Sequence, residues 1–283
     1  MRESATRLPA GTRPGRIGLA VSAPYEVSSF YEDVVGLTLS EYTETTAQLG
    51  VDDRTLVELT DGEDRAARDH SEAGLYHVAF EFPSRRALAD ALLRIDSFYE
   101  LDGATDHGIM QSLYLTDPAG NGVELYVTAP REEWPENDAG EPIMETDPLS
   151  LDALRADATA ETTAPEETRI GHFHLEVTDL PTATAFYRDE VGLPVTRSIG
   201  DMARFFAAGD SHHDLGLTNF QERSEPASGV GLDWIEWQVP GESAIEAAAD
   251  RFEDAGRAVE KQASGIAVRD PDGIGVRLAD ASE

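Results

Sequence analysis

The sequence predicts an α+β fold of four βαβββ modules arranged as two tandem halves, and two observations carry that prediction. The first is an internal repeat. Ser28-Ser-Phe-Tyr-Glu-Asp-Val-Val-Gly-Leu37 returns as Thr184-Ala-Phe-Tyr-Arg-Asp-Glu-Val-Gly-Leu193, and Thr116-Asp-Pro-Ala-Gly-Asn-Gly-Val-Glu-Leu125 returns as Arg269-Asp-Pro-Asp-Gly-Ile-Gly-Val-Arg-Leu278. The offsets, 184 − 28 = 156 and 269 − 116 = 153, keep the halves nearly residue for residue in step. The second is the stretch 106–126, which reads as strands over Ser112–Thr116 and Gly122–Val127 joined by the turn Asp117-Pro-Ala-Gly-Asn121. Alternation puts Ser112 and Tyr114, Glu124 and Tyr126 on one face and Leu113, Leu115, Val123, Leu125 and Val127 on the other. A half-exposed sheet with its polar face in water would show the same pattern; the repeat argues for more.

Taken in order, the first module opens with a strand over Arg16–Ser22. A helix follows that buries Phe30 and Tyr31 and ends at Val34-Val-Gly-Leu37, with Gly36 as C-cap. Strands follow near Thr38–Thr43, Thr46–Val51 and Arg54–Leu59, then an acidic loop over Thr60–Ala73. The second module has a strand Leu75–Phe82, a helix Ser84–Arg94 and the closing strand pair. The Pro-, Glu-, Asp- and Thr-rich segment 130–168 reads as a linker with one short helix at Leu149–Arg155. The domain reading is a first half over 13–129, this acidic linker over 130–168, and a second half over 169–280.

Composition limits the partners. Of 283 residues, 22 are basic and 55 acidic, a net charge of −33, and Lys261 is the only lysine. Such a surface repels nucleic acid and anionic membranes, so neither is expected as a partner. Arginine almost replacing lysine on an acidic shell resembles proteins of salt-loving archaea, whose molar salt screens charge beyond about 3 Å. No cysteine is present, which excludes disulfides, zinc-thiolate sites and thiol nucleophiles. The start lacks an apolar core of signal-peptide length and no apolar run reaches the roughly 18 residues of a membrane span, so a soluble cytoplasmic protein is expected. Oligomeric state is left open, a homo-oligomer included.

The segments His172-Phe-His-Leu-Glu-Val-Thr-Asp-Leu180 with Ala185-Phe-Tyr187, Gly74-Leu-Tyr-His-Val-Ala-Phe80, and Asp106-His-Gly108 through Gly120-Asn-Gly-Val-Glu-Leu125 give the chain a family resemblance over about residues 13 to 280. It resembles the vicinal oxygen chelate superfamily of glyoxalases, bleomycin resistance proteins and extradiol dioxygenases, and within it the ring-cleaving dioxygenases of the catechol 2,3-dioxygenase type. The resemblance implies that modules combine in pairs into cup-shaped mixed β-sheets with helices outside. Metal ligands then come from the first strand of each module and the last strand of one or both.

Carried over by position, the first-strand residues are His77, His172, Trp234 and, in module one, Arg16 or Leu19; the last-strand residues are Glu124 and Arg277. The halves have lost complementary pieces. A complete two-histidine, one-carboxylate triad can be assembled from modules two and three, as His77, Glu124 and His172, leaving adjacent metal positions open as Fe(II) oxygen chemistry requires. Were modules one and two paired instead, Glu58 would be the substitute ligand. Alternation supports the cross-half set, because His172, His174 and Glu176 share a face opposite Phe173, Leu175 and Val177.

The resemblance implies cleavage of a small aromatic diol, of catechol or hydroquinone type, by O2 at Fe(II), with Mn(II) accepted by the same ligand set. Such a reaction needs a proton acceptor and donor near neutral pH, a task suited to histidine. His107 holds that place by family position and His213 is its rival. Tyr114, ten residues before Glu124, matches the tyrosine that hydrogen-bonds a substrate oxygen. His174 is placed at the substrate, as pocket wall or hydrogen-bond partner. His212 is expected near the same cup or in a surface loop, and His70 in solvent. The competing readings are a glyoxalase-type isomerase or other metalloenzyme of the superfamily, and a metal-free protein that binds a small aromatic.

Overall fold

The computed structural model describes residues 7–137, 143–144 and 146–281. The chain start and part of the linker, on which the leader and linker readings partly rest, lie outside the described residues.

Four βαβββ modules are present. The first comprises β1 (Arg13–Val21), α1 (Pro24–Phe30), β2 (Thr38–Tyr42), β3 (Thr46–Val51) and β4 (Arg54–Asp61). The second comprises β5 (Gly74–Glu81), α2 (Arg85–Phe98), β6 (Gly103–Asp106), β7 (Met110–Thr116) and β8 (Gly122–Thr128). The linker contributes β9 (Asp147–Pro148) and α3 (Leu151–Arg155). The third module is β10 (Arg169–Glu176), α4 (Leu180–Ala185), β11 (Val195–Ile199), β12 (Ala203–Phe206) and β13 (Leu215–Thr218). The fourth is β14 (Gly231–Val239), α5 (Glu242–Asp254), β15 (Glu260–Gln262), β16 (Gly265–Arg269) and β17 (Gly275–Asp280).

These strands form two mixed sheets. The eight-stranded sheet runs β15-β16-β17-β14-β1-β4-β3-β2, and the nine-stranded sheet β11-β12-β13-β10-β5-β8-β7-β6-β9. Modules one and four therefore share one sheet, and modules two and three the other. In modules two, three and four the opening strand lies parallel to the closing strand of its own module, as β5 to β8, β10 to β13 and β14 to β17. Modules join through their opening strands, β1 beside β14 and β5 beside β10.

Local chemistry explains the elements. Pro24 starts α1 with its φ preset. The Ser84 hydroxyl caps α2 by accepting from the Ala87 N–H, and the Asp179 carboxylate caps α4 by accepting from Thr182 N–H at 2.8 Å. Both α1 and α4 widen into π turns, over Tyr31–Val35 and Phe186–Val191, and each ends on a glycine with positive φ, Gly36 at 83° and Gly192 at 95°. The sequence reading placed the end of the first helix correctly but not its widened turn. It missed β6, whose residues are half-buried and lack an alternating apolar pattern. The helix α2 also runs four residues further than expected, to Phe98.

Contacts divide the chain into two compact units, one of Met1–Ser22, Gly62–His77 and Gly171–Glu283, the other of Ala23–Asp61 and Val78–Ile170. In the first, Phe173 packs edge-on against Trp237 and Phe186 stacks on Phe252, all fully buried. In the second, Phe30, Tyr31 and Phe80 form an edge-to-face chain. There the linker is tied to α2: Asp90 accepts from the Thr159 and Ala160 N–H groups and the Thr159 hydroxyl, and Arg94 donates to the carbonyls of Val34, Val35 and Glu161.

One buried pair occurs in each half. The Tyr31 hydroxyl donates to Asp117 at 3.2 Å and the Tyr187 hydroxyl to Asp270 at 3.0 Å, tying each π turn to a closing Asp-Pro turn. Burial pushes the Asp117 and Asp270 carboxyls up, Asp270 to about 7 with help from neighbouring Asp272. Among the described residues no helix is long and apolar enough to cross a membrane.

Candidate metal centre

The strands β10, β5 and β8 are neighbours in the nine-stranded sheet, and each carries one ligand-type side chain. On β5 the period of two puts His77 and Ala79 on one face and Val78 and Phe80 on the other; Ala79 pairs with Glu124 of β8, which fixes that carboxylate on the same face. On β10, His172, His174 and Glu176 share a face. Among the described residues, His77, Glu124 and His172 form a set whose ligand atoms all lie within 4.8 Å of one another.

The set is buried, His77 to 8 % exposure, Glu124 to 2 % and His172 to 2 %. The polar face read from β7 and β8 is thus not turned to water: Ser112, Glu124 and Tyr126 are all buried. The Nε2 atoms of His77 and His172 stand 3.1 Å apart. Two nitrogens bound at right angles to one cation with bonds of about 2.1 Å would stand about 3 Å apart. With one carboxylate beside them the donor set suits a divalent first-row metal, Fe(II) and Mn(II) included.

Around this set the sequence candidates distribute as follows. The Tyr114 hydroxyl donates to Glu124 Oε1 at 3.2 Å and lies 3.1 Å from His107 Nε2, so these three form one chain of contacts. The His213 ring centroid lies 4.2 Å from that of His172, and His213 Nδ1 meets His212 Nδ1. The His174 ring is 4.9 Å from His77. His174 lies over β13 opposite Gly216, where a Cβ would come within 2.8 Å of the imidazole, so glycine there makes room for the ring. His70 is exposed, with its carbonyl accepting from Arg223. Glu58 is half-buried on β4 opposite Gln48.

Several neighbours were given no role from the sequence, although alternation had put Tyr126 and Glu176 on the faces of Glu124 and His172. Tyr76 packs against His77 and His174 with centroids 5.2 and 5.1 Å away, and Phe205 lies 5.9 Å from His174 and 5.2 Å from His213. Tyr126, on the same face of β8 as Glu124, clusters with Ala79, Ile109 and Met110, and Trp134 and Met144 of the linker pack against them. Glu176, 1 % exposed, holds Arg223 at 2.5 Å and Arg68 at 3.4 Å. Their sequence signal was weak, because aromatics read as core and arginines in loops read as surface.

On the eight-stranded sheet the matching positions carry no such set. Trp234 of β14 lies across Gly18 of β1 so closely that a Cβ there would come within 2.1 Å of the indole. The Arg277 guanidinium stacks 3.5 Å from the centre of the Trp234 rings, and Arg16 binds Glu236 through two bonds of 2.9 and 2.6 Å.

Comparison with known proteins agrees with this architecture. Residues 13–125 and 169–278 match the family described as the Glyoxalase/Bleomycin resistance protein/Dioxygenase superfamily. The chain is 32 % identical over 274 residues to a catechol-2,3-dioxygenase of Bacillus subtilis, covering 94 % of this chain and 96 % of that protein. Among solved structures it superposes on a candidate dioxygenase from Bacillus subtilis with a TM-score of 0.63 at 16 % identity, over 98 % of this chain and 87 % of that one. With glyoxalase I of Zea mays the TM-score is 0.58 at 18 % identity, over 96 % and 93 %. At these identities the structural matches speak for the fold alone.

Proposed function

Because the chain belongs to the Glyoxalase/Bleomycin resistance protein/Dioxygenase superfamily, we propose that it is a metal-dependent extradiol dioxygenase, opening the ring of a small catechol- or hydroquinone-type diol with O2. The observation that carries this reading is the buried two-histidine, one-carboxylate set with a tyrosine and a histidine lined up against its carboxylate. The 32 % identity to a catechol-2,3-dioxygenase over nearly the whole chain supports it.

His77, Glu124 and His172 would hold Fe(II), or Mn(II) with the same donors. When bound, the metal supplies neighbouring positions for the diol and O2 and a route for electron density between them. The remaining chemistry belongs to the chain. Tyr114 Oη donates a hydrogen bond to a substrate oxygen, orienting the ring against the carboxylate side of the set. His107 Nε2, 3.1 Å from that hydroxyl, takes the proton a diol loses on binding and returns it during ring opening. His213 is the rival for that proton from the β13 side. His174, with Tyr76 and Phe205, forms a wall for the aromatic ring, and burial of the set keeps bulk water from the reacting atoms. A protein without cysteine and with net charge −33 fits a soluble cytoplasmic enzyme of a salt-adapted cell.

The test is to load the chain anaerobically in molar salt with ferrous iron and catechol, admit air, and follow oxygen uptake and a yellow ring-opened product. Oxygen uptake on any diol of a catechol and hydroquinone panel supports the reading. Retained metal with no oxygen uptake, and turnover of a hemithioacetal instead, would establish the isomerase. Failure to retain iron or manganese after reconstitution would overturn the enzyme reading.

A further inference from the structure

The strip of sheet face next to Glu124 is covered by the linker, and the covering side chains are apolar. β8 carries Glu124 and Tyr126 on one face, and β7 carries Tyr114 opposite the first and Ser112 opposite the second. Tyr126 therefore stands about 7 Å along the strand from the carboxylate. It clusters with Ala79, which pairs with Glu124 across the β5–β8 ladder, and with Ile109 and Met110; none of the four is more than 5 % exposed. Trp134 and Met144 pack against this cluster from the linker and are themselves only partly buried. A diol held at Tyr114 and Glu124 thus has Tyr126 and its linker cover as its next neighbours along β8.

The cover is tied down on both sides. Where the linker leaves β8, the Ala129 N–H donates to the Ile109 carbonyl at 2.9 Å; where it rejoins the sheet, β9 pairs with β6 and the Leu149 N–H donates to the Ala104 carbonyl at 3.3 Å. Between these points the Ile143 N–H donates to the Pro135 carbonyl at 2.8 Å, and the two residues flanking that bond, Trp134 and Met144, meet the same cluster. The indole is fixed further. Its Nε1 donates to the Ala129 carbonyl at 2.8 Å, and the Arg131 guanidinium lies 4.7 Å from the ring centre. An indole held by its edge and its face cannot swing aside without giving up both contacts, whereas the flexible thioether of Met144 can repack.

We propose that Trp134, with Met144 behind it, sets the size of the substrate: the site takes a single-ring diol and rejects one that carries a bulky group toward Tyr126. The inference rests on the diol-cleaving reading above and adds the substrate class within it. A second ring directed along β8 would have to displace the anchored indole, while a single ring leaves all of its contacts in place. Selection of this steric kind in an apolar pocket is worth about ten- to two-hundredfold.

The test compares catechol with 2,3-dihydroxybiphenyl on the full-length, iron-loaded chain in molar salt, first by calorimetry without air and then by oxygen uptake once air is admitted. The wild type should favour catechol by about tenfold or more in both measurements. Trp134→Ala should shift the ratio toward the biphenyl by about tenfold while keeping its metal and its affinity for catechol. Met144→Ala should move it the same way by a smaller factor, and it carries the test should Trp134→Ala not fold. Trp134→Phe, which restores a ring, should return most of the wild-type ratio. Ile143, 39 % exposed on the same segment, is the control, and Ile143→Ala should leave the ratio alone. Equal preference in the wild type, an unchanged ratio in the Trp134→Ala and Met144→Ala variants, or the same shift in Ile143→Ala would each overturn the proposal. A shifted binding ratio with no oxygen uptake on either diol would uphold the size limit and overturn the reaction instead.

Discussion

Tyr114 and Glu124 face one another directly across the β7–β8 ladder, with the phenol hydroxyl 3.2 Å from Glu124 Oε1. The spacing of ten residues between them follows from the hairpin: the turn at Asp117–Asn121 fixes the register, and alternation keeps both side chains on one face. His107 closes the chain from the start of the same hairpin. The geometry of these three side chains is therefore tied to one local register.

Loss of any of the three ligand-type side chains should abolish metal retention. His77→Ala, Glu124→Ala and His172→Ala are each expected to purify with little iron or manganese after anaerobic reconstitution, as measured by elemental analysis per chain. Arg16→Ala and Trp234→Ala, on the other sheet, should keep the metal. Equal loss in both groups would remove the assignment.

Tyr114→Phe should hold its metal and lose turnover by about a hundredfold, the scale of a missing proton-transfer or hydrogen-bonding partner. Oxygen-uptake rates on the diol that the wild type accepts provide the readout, and undiminished activity would take the phenol out of the mechanism.

Asp270 gives a pH dependence with a definite sign. Its carboxyl in the folded protein is pushed up to about 7 from an ordinary 3.8, so the native state binds a proton that the unfolded chain releases. The contribution is full below about pH 4 and lost as pH rises through 7. In Asp270→Asn, the fall in stability between pH 5 and pH 8 should shrink, as measured by denaturant unfolding at each pH; an unchanged slope would show that another group dominates.

Arg223→Met should destabilise the fold by about 3 kcal/mol, because it strips a partner from a carboxylate that is 1 % exposed while Arg68 remains only 3.4 Å away. Glu176→Gln combined with Arg223→Met should recover part of that loss, since the buried charge is removed as well. Urea midpoints of the two variants decide the matter.

A net charge of −33 predicts stability that climbs with salt. Screening shortens from about 10 Å at 0.1 M to about 3 Å at 1 M, so the thermal midpoint should rise steadily between 0.1 M and 2 M KCl. A flat response would mean that the acidic surface is not strained by its own repulsion.

What the sequence determined by itself was local or repeated. The βαβββ order, the Asp-Pro turns, the glycine helix ends and the Tyr114–Glu124 spacing are all set by residues near one another in the chain, where alternation and turn chemistry leave little freedom. The family resemblance, carried over onto the repeats residue by residue, nominated His77, Glu124 and His172. Tertiary structure alone decided which modules share a sheet. His77 and His172 are 95 residues apart, and their rings meet because β5 lies beside β10, a pairing that no local pattern encodes. The buried state of Glu176 between two loop arginines, and the stacking of Arg277 on Trp234, belong to the same class. Each depends on side chains from distant segments arriving at one place, and the free energy that brings them there comes from burying whole sheet faces rather than from any stretch of sequence read alone.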